Sequence, residues 1–494
     1  MSSPQPILQR KDLLRHSAYI NGQWVKESQQ DFAVTDPATN QIIAELPDQS
    51  VPAVNGAIDA AYEAFQSYKN TTPRQRATWL RSFYNLMLEN INDLGQILTW
   101  ENGKALADSV GEIKYAASYF EWYAEEAPRA YGAVIQPGNA GNRAFTMKQP
   151  VGVCGLICPW NFPSAMITRK AAAALAAGCT VVVKPDAQTP LSALALAVLA
   201  EEAGFPKGAF NVVLADKNTP QVGLTLCESP KVKKVSFTGS TRVGKLLMKQ
   251  ASTTMKKVSF ELGGNAPFIV FEDADLEHAV DQAIASKFRG LGQTCICANR
   301  LYVQESVVSK FAELMAAKVR QFVLGHGLHV DTTHGCMING QAIKKVEEHK
   351  KDAIEKGAKV VLEGGPVEKL GPNFYSPAIV SHVPQCAKVT KEETFGPLCP
   401  IFTFKTTEEV VKYANDTDFG LASYVFSRDI NTIYTVSEAL EAGMVSCNTG
   451  LFSDSAIPFG GVKESGFGRE GSLYGLDDYT VVKVVTIGGL PNRI

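Results

Sequence analysis

The chain has 494 residues, too many for one hydrophobic core of ordinary size, and a prior of roughly 150 residues per domain points to about two to four domains. A composition of 45% hydrophobic and 20% charged residues is that of a folded globular protein and excludes a disordered or collagenous chain. Lys+Arg 48 against Asp+Glu 50 leaves a formal charge of -2, so no global field exists to hold nucleic acid or an anionic membrane.

The stretch from Met1 to Arg15 lacks an apolar signal core, and Arg10, Lys11 and Arg15, with Asp12 among them, make no convincing transit peptide. Ten cysteines without framework spacing suit a reducing compartment. The cytoplasm is therefore the expected location, ahead of the mitochondrion. The longest apolar run, Ala171 to Val183, falls short of the roughly 18 residues a membrane span requires and reads as a buried helix end followed by a core strand.

From residue 151 the pattern alternates: VGVCGLIC, a helix-like stretch through Ala177, CTVVV, the periodic LSALALAVLAEEAG, FNVVL, a polar helix-like stretch, KVSF, and TRVGKLLMKQ. Strand runs alternating with helical segments predict βαβ units and a parallel sheet. After Glu261 the alternation restarts with PFIVF, a helix over Asp275 to Phe288, LYVQ, and amphipathic stretches near 305 to 321 and 340 to 357, which predicts a second α/β domain. The closing DDYTVVKVVTIGGL is a long β-branched strand with nothing after it to cover its edge, and such an edge invites pairing with another subunit.

Two segments carry candidate chemistry. GQTCIC exposes Cys295 just after a Gly-Gln turn, whereas Cys154, Cys179, Cys227 and Cys447 suit the ordinary role of a free cysteine as a buried small hydrophobe. FELGGNAP puts Glu261 where a strand ends in a Gly-Gly turn, a place where α/β domains display catalytic groups, and a carboxylate there can act as general base. The only G-x-G-x-x-G, GFGREG at 466 to 471, neither follows a strand nor opens a βαβ helix, so it is not read as a phosphate loop.

Together with CPWNFP (158–163), VVVKP (181–185), FTGSTRVG (237–244), EETFGP (392–397) and PFGGVKESGFGRE (458–470), these segments resemble the signatures of the aldehyde dehydrogenase superfamily, in family order and over essentially the whole chain. The resemblance implies an α/β fold of two Rossmann-like parallel-sheet domains with a small β oligomerisation flap. Residues 1–131 and 151–262 would bind the dinucleotide, 263–465 would form the catalytic domain, and 132–150 with 475–494 the flap, joined in a homodimer or homotetramer. It implies Cys295 as nucleophile, Glu261 as base and Asn161 as oxyanion donor, with no metal. Gly239 and Ser240 would meet the pyrophosphate, Lys184 the adenosine ribose, and Trp160, Glu393 and Phe395 the nicotinamide end. Members that pass the acyl group to coenzyme A lack the glutamate, so water is the expected acceptor.

One position departs from the pattern of many NAD-preferring relatives, which carry a glutamate three residues after the lysine; here it is Ala187. Loss of that carboxylate removes repulsion against a 2′-phosphate, while Asp186 next door could partly restore it. NAD and NADP both stay open, with a slight lean to NADP.

Within the superfamily, PSAMITRKAAAALAAGCTVVVKP, ASKFRGLGQTCICANR and GMVSCNTGLFSD resemble the succinate-semialdehyde dehydrogenase subfamily, which acts in 4-aminobutyrate breakdown. That resemblance implies that Arg169, Arg289 and Ser453 hold the distal carboxylate of an acidic aldehyde, a task suited to the paired donors of guanidinium. It also implies that Cys297 can form a reversible disulfide with Cys295, and an i, i+2 bond of that kind is strained and easily reduced. The alternatives are another semialdehyde dehydrogenase, such as one for glutarate semialdehyde, and a cofactor-independent thiol esterase.

Overall fold

The computed structural model describes residues 3–491 apart from positions 27 and 29. Positions 1, 2, 27 and 29 of the expected cofactor domain and 492–494 of the expected flap lie outside the described residues.

The alternation after residue 151 builds an eight-stranded sheet in the order Gln23–Val25, Ala18–Ile20, Phe210–Val212, Thr180–Lys184, Val153–Ile157, Val232–Thr238, Lys257–Glu261, Gly466–Phe467. The inner strands from Phe210–Val212 to Lys257–Glu261 are all parallel, and antiparallel pairing is confined to the two edges. Neighbouring valines of Thr180–Lys184 serve opposite faces: Val181 and Val183 join one apolar cluster and Val182 another. A strand covered on both sides has to read as an unbroken apolar run, as CTVVV does.

One of those faces is covered by Ala165–Ala177 and Leu191–Glu202, the other by Val51–Tyr68, Thr219–Glu228 and Thr241–Ala251. Three further helices, Pro73–Glu89, Ile91–Asn102 and Leu106–Glu126, pack outside the first face, a layer for which the strand-helix alternation gives no sign. Every residue of Ala165–Ala177 is consequently buried, which explains its alanine content and makes its two charged residues, Arg169 and Lys170, exceptional.

A second sheet of seven strands runs Lys359–Leu362, Ala378–Ser381, Leu398–Phe404, Ala298–Gln304, Ala266–Val270, Ala422–Phe426, Met444–Cys447, parallel except at its first edge. The helix expected over Asp275 to Phe288 is Leu276–Phe288, its N-terminus capped by the Asp275 side chain, which accepts from the His278 N–H. A third sheet joins Thr480–Ile487 to Arg143–Pro150, and this to Val134–Ile135. Thr480–Ile487 is an edge strand of this sheet, with no second strand pairing it among the described residues, and its Val482 is 68% exposed.

Taken by chain position, the five inner strands of the first sheet lie in the order 3-2-1-4-5. The order reverses between Val153–Ile157 and Val232–Thr238, and in open parallel sheets ligands bind at the carboxyl ends of the strands flanking such a switch point.

Candidate active site

The carboxyl ends at the switch point lead into Pro159, Trp160 and Asn161 on one side and Thr238, Gly239 and Ser240 on the other, and these line a cavity together with Leu262, Gly263, Cys295, Glu393 and Phe395. Cys295 reaches this cavity because the chain turns sharply after Phe288. Gly290, Leu291 and Gly292 all have left-handed φ (54°, 53° and 75°), and a β-carbon on Gly292 would stand 2.4 Å from the Gly396 carbonyl oxygen. Gln293 then pins the loop: its side-chain oxygen accepts from the Ile338 N–H at 2.9 Å, and its carbonyl accepts from Asn161 Nδ2 at 3.0 Å. That bond uses one amide hydrogen of Asn161 and leaves the second free for a ligand.

Glu261 closes the strand Lys257–Glu261, and its carboxylate is buried with Oε2 lacking a hydrogen-bond partner. Burial, reinforced by the charge of Glu470 and opposed by Arg169 and Lys170, pushes its pKa up to about 8. Burial also pushes the Cys295 thiol up to about 12, against the pull of Arg169 and with the push of Glu261. The resting cysteine is therefore a thiol, and it needs a base and a positive field to become nucleophilic.

At the crevice, Ser240 caps the helix Thr241–Ala251 by accepting from the Val243 N–H. A β-carbon on Gly239 would stand 2.3 Å from the Phe237 ring, so this turn admits only glycine unless the ring moves. Lys184 is buried at the end of its strand, makes no ion pair or side-chain hydrogen bond among the described residues, and has its pKa depressed by burial. A helix N-terminus, a bare turn and an unspent buried cation at a switch point fit a dinucleotide pyrophosphate and ribose. Trp160 and Phe395 meet edge to face with centroids 5.7 Å apart. Phe395 has φ 56°, a strained backbone for a bulky residue. Glu393, pushed up to about 7 by burial, accepts from the Gly264 N–H at 3.1 Å. Ala187 and Asp186 are half-buried on the loop after Lys184.

A second, narrower pocket opens on the other side of Cys295, lined by Arg169, Arg289 and Ser453 with Tyr115, Phe162, Met166, Thr294, Ile296 and Phe459. Arg289 lies over the Phe162 ring, Cζ to centroid 5.2 Å, and makes no ion pair among the described residues. Ser453 likewise makes no hydrogen bond through its side chain there. Cys297 is buried away from the pocket wall, its thiol donating to the Lys287 carbonyl at 2.9 Å.

With this geometry, residues 24–485 match the aldehyde dehydrogenase family. The chain belongs to that family. It is 72% identical to the succinate-semialdehyde dehydrogenase [NADP(+)] of Saccharomyces cerevisiae, with 99% of each chain covered. It is 51% identical to the glutarate-semialdehyde dehydrogenase of Pseudomonas aeruginosa, covering 98% of this chain and 100% of the relative. The crystal structure of succinate-semialdehyde dehydrogenase from Burkholderia pseudomallei superposes with a TM-score of 0.95 at 50% identity, covering 97% of this chain and 99% of that one.

In this aldehyde dehydrogenase the fold gathers Cys295, Asn161, Trp160, Gly239, Ser240, Glu393 and Phe395 around one cavity and Arg169, Arg289 and Ser453 around the adjoining one, while Lys184, Ala187 and Glu261 stand outside the lining of both. Cys447 is half-buried where full burial was expected. Several supporting charges went unread. Glu112 accepts from the Ser164 and Ala165 N–H groups and pairs with Lys104 at 2.6 Å, and Lys104 in turn donates to the Asn161 carbonyl at 2.7 Å, so a buried ion pair holds the Asn161 loop. Glu470, inside the discarded GFGREG match, pairs with both Arg169 and Lys170. Charged residues interrupting the alanine run at 169 and 170 are the one signal in the sequence that a buried partner had to exist.

Proposed function

We propose that this enzyme oxidises succinate semialdehyde to succinate, with NADP or NAD as acceptor and water as acyl acceptor, as a step in 4-aminobutyrate breakdown. The observation that carries the reading is the convergence of Arg169, Arg289 and Ser453 on a pocket that also opens on Cys295. A neutral aldehyde needs neither arginine, whereas a four-carbon acidic aldehyde has one end to react and one to hold.

The ionised Glu261 takes the Cys295 thiol proton and releases it to solvent, the sulfur adds to the aldehyde carbon to give a thiohemiacetal, and the free Asn161 amide hydrogen with the Cys295 backbone N–H meets the developing alkoxide. Gly239, Ser240, Lys184, Trp160, Glu393 and Phe395 are the residues that would hold the dinucleotide. When bound, its nicotinamide supplies the two-electron acceptor that turns the thiohemiacetal into a thioester. Glu261 then takes a proton from the water that attacks the thioester, a task suited to a carboxylate whose pKa burial has raised toward neutrality. The carboxylic acid leaves, and Cys295 recovers its proton.

The same reading assigns residues 1–131 and 151–262 to the cofactor domain, 263–465 to the catalytic domain, and 132–150 with 475–494 to a flap. The division is supported by the break between the first two sheets, which falls between Glu261 and Ala266. The exposed edge of Thr480–Ile487 supports a homodimer or homotetramer, and the composition supports a cytoplasmic location. A second substrate, glutarate semialdehyde, is favoured by the 51% identical relative of that name, because one methylene changes selectivity by only about 1–3 kcal/mol.

The test is the steady-state rate of NADPH or NADH formation with succinate semialdehyde and with butanal, in wild type and Arg289→Ala under reducing conditions. Wild-type preference for the acidic aldehyde that Arg289→Ala loses is the expected result. Preference of the wild type for butanal would sink the substrate reading.

A further inference from the structure

Glu470 lies in a segment that forms no phosphate loop, and none of the steps above uses it. Its backbone is tied to the pocket wall: the Phe459 N–H donates to the Glu470 carbonyl and the Glu470 N–H to the Phe459 carbonyl, both at 2.8 Å. Its carboxylate stands between two cations on the buried helix Ala165–Ala177, meeting Arg169 Nε at 2.5 Å through one oxygen and Lys170 Nζ through the other. Arg169, Lys170 and Glu470 have side chains 1%, 0% and 5% exposed, so water screens none of these charges.

The two cations are not equivalent. Lys170 Nζ also donates to Thr238 Oγ1 at 2.6 Å, so it is spent within the protein. The Arg169 guanidinium forms an ion pair with Glu470 on its Nε side, without hydrogen-bond geometry, and its Cζ stands 4.0 Å from the Phe459 ring centroid and 5.9 Å from that of Tyr119. Its Nε and Nη2 are both buried without a hydrogen-bond partner, and Arg169 lines the pocket beside Cys295. Glu261 also faces these charges, but burial keeps it protonated up to about pH 8, so at neutral pH the ion-paired groups are one carboxylate against two cations, a surplus positive charge that is costly in a dry interior until an anion joins it.

We propose that Glu470 is a positioning residue for the substrate's distal anion. Its ion pair on the Nε side of Arg169 keeps the guanidinium beside the pocket with Nη2 unspent, and by sharing one negative charge between two cations it leaves the site one anion short. This deepens the reading of the pocket as an acidic-aldehyde site and rests on it. A carboxylate on the substrate completes both the hydrogen bonding of Nη2 and the charge balance. A neutral aldehyde completes neither.

The test compares wild type with Glu470→Gln, which keeps the shape and loses the charge, on succinate semialdehyde and on butanal. A second readout is the protection that succinate gives Cys295 against iodoacetamide. The ratio of kcat/KM for the acidic over the neutral aldehyde should fall by about tenfold or more, mainly through KM for the acidic one, and succinate should protect less well. A residue needed only for folding or for proton movement lowers both substrates together, so an unchanged ratio with unchanged succinate protection overturns the role of Glu470. Should the Gln variant fail to fold, Glu470→Asp keeps the charge but withdraws it by one methylene, and its ratio should fall to an intermediate value; a wild-type ratio there overturns the proposal equally. A wild type without preference for the acidic aldehyde overturns the substrate reading itself, a result recognisable before any variant is made.

Discussion

Gly264 lies against the backbone of Cys295: a β-carbon at Gly264 would stand 2.3 Å from the Cys295 carbonyl oxygen. The contact is with backbone, so no side-chain rotation can relieve it. The second glycine of the ELGG turn is thus what lets the strand that bears Glu261 and the Cys295 loop approach each other. Gly264→Ala should push the Cys295 loop away from Asn161 and Glu261, and a displacement near 1 Å at a reacting centre costs about 100-fold. The expected result is a fall of that order in kcat with dinucleotide affinity, read by fluorescence titration, largely kept; kcat within a factor of about two of wild type would show that the loop tolerates the methyl.

The high pKa of Glu261 makes two measurable statements. As a base it must be deprotonated, so thioester hydrolysis should rise with pH through about 8. Glu261→Gln should release about one equivalent of NADPH or NADH per active site in a slowed burst and then stall on the thioester. For stability the sign is fixed by the folded pKa lying above the unfolded one: the contribution of Glu261 is full below the ordinary carboxyl range and is lost as pH rises through about 8. The Gln variant, a neutral mimic, should therefore gain in Tm relative to wild type as pH is raised from about 6 to about 9. A Tm difference that stays flat across that range would mean Glu261 is not neutralised by burial.

The parts legible in the sequence were those with a local signature. Strands buried on both faces spell unbroken apolar runs, which is why Val153–Ile157, Thr180–Lys184 and Ala266–Val270 were readable from periodicity. Cys295 and Glu261 were readable because each sits in a glycine-marked turn. The supports were not. Glu112 and Lys104 belong to a helical layer before residue 151 and act on Asn161 from about 50 positions away in sequence, a distance at which no spacing rule operates. Glu470 was concealed by a glycine pattern whose usual meaning does not apply here. The left-handed backbone of Phe395 is imposed by tertiary packing and has no counterpart in residue type.

Cys297 is the candidate resolving partner for Cys295 that the resemblance implies. Its thiol faces the Lys287 carbonyl, and its N–H donates to the Thr294 carbonyl at 3.0 Å, so a bond to Cys295 requires this turn to open. The resulting disulfide is strained and a weak hold on the enzyme. Peroxide-treated wild type should recover activity with dithiothreitol, whereas Cys297→Ala, having no resolving thiol, should proceed to irreversible oxidation at Cys295. Equal recovery in the two proteins would assign Cys297 to packing alone.

Ala187 offers the most direct handle on cofactor choice. It follows the buried Lys184 on a loop where Asp186 is already occupied, accepting from the Gln188 N–H at 3.0 Å. A carboxylate that is spent on its own loop is a poor acceptor for a ribose hydroxyl, and Ala187 supplies nothing in its place. Ala187→Glu adds a free carboxylate beside Lys184, one that can accept from a 2′-hydroxyl and repels a 2′-phosphate. The ratio of kcat/KM for NADP over NAD should drop by about tenfold or more, since like charges brought together across a binding surface cost several kcal/mol. If the ratio holds, selection is made elsewhere in the crevice, and the residues to vary next are Asp186 itself and Gln188, whose side-chain oxygen accepts from Asn339 Nδ2 at 2.9 Å.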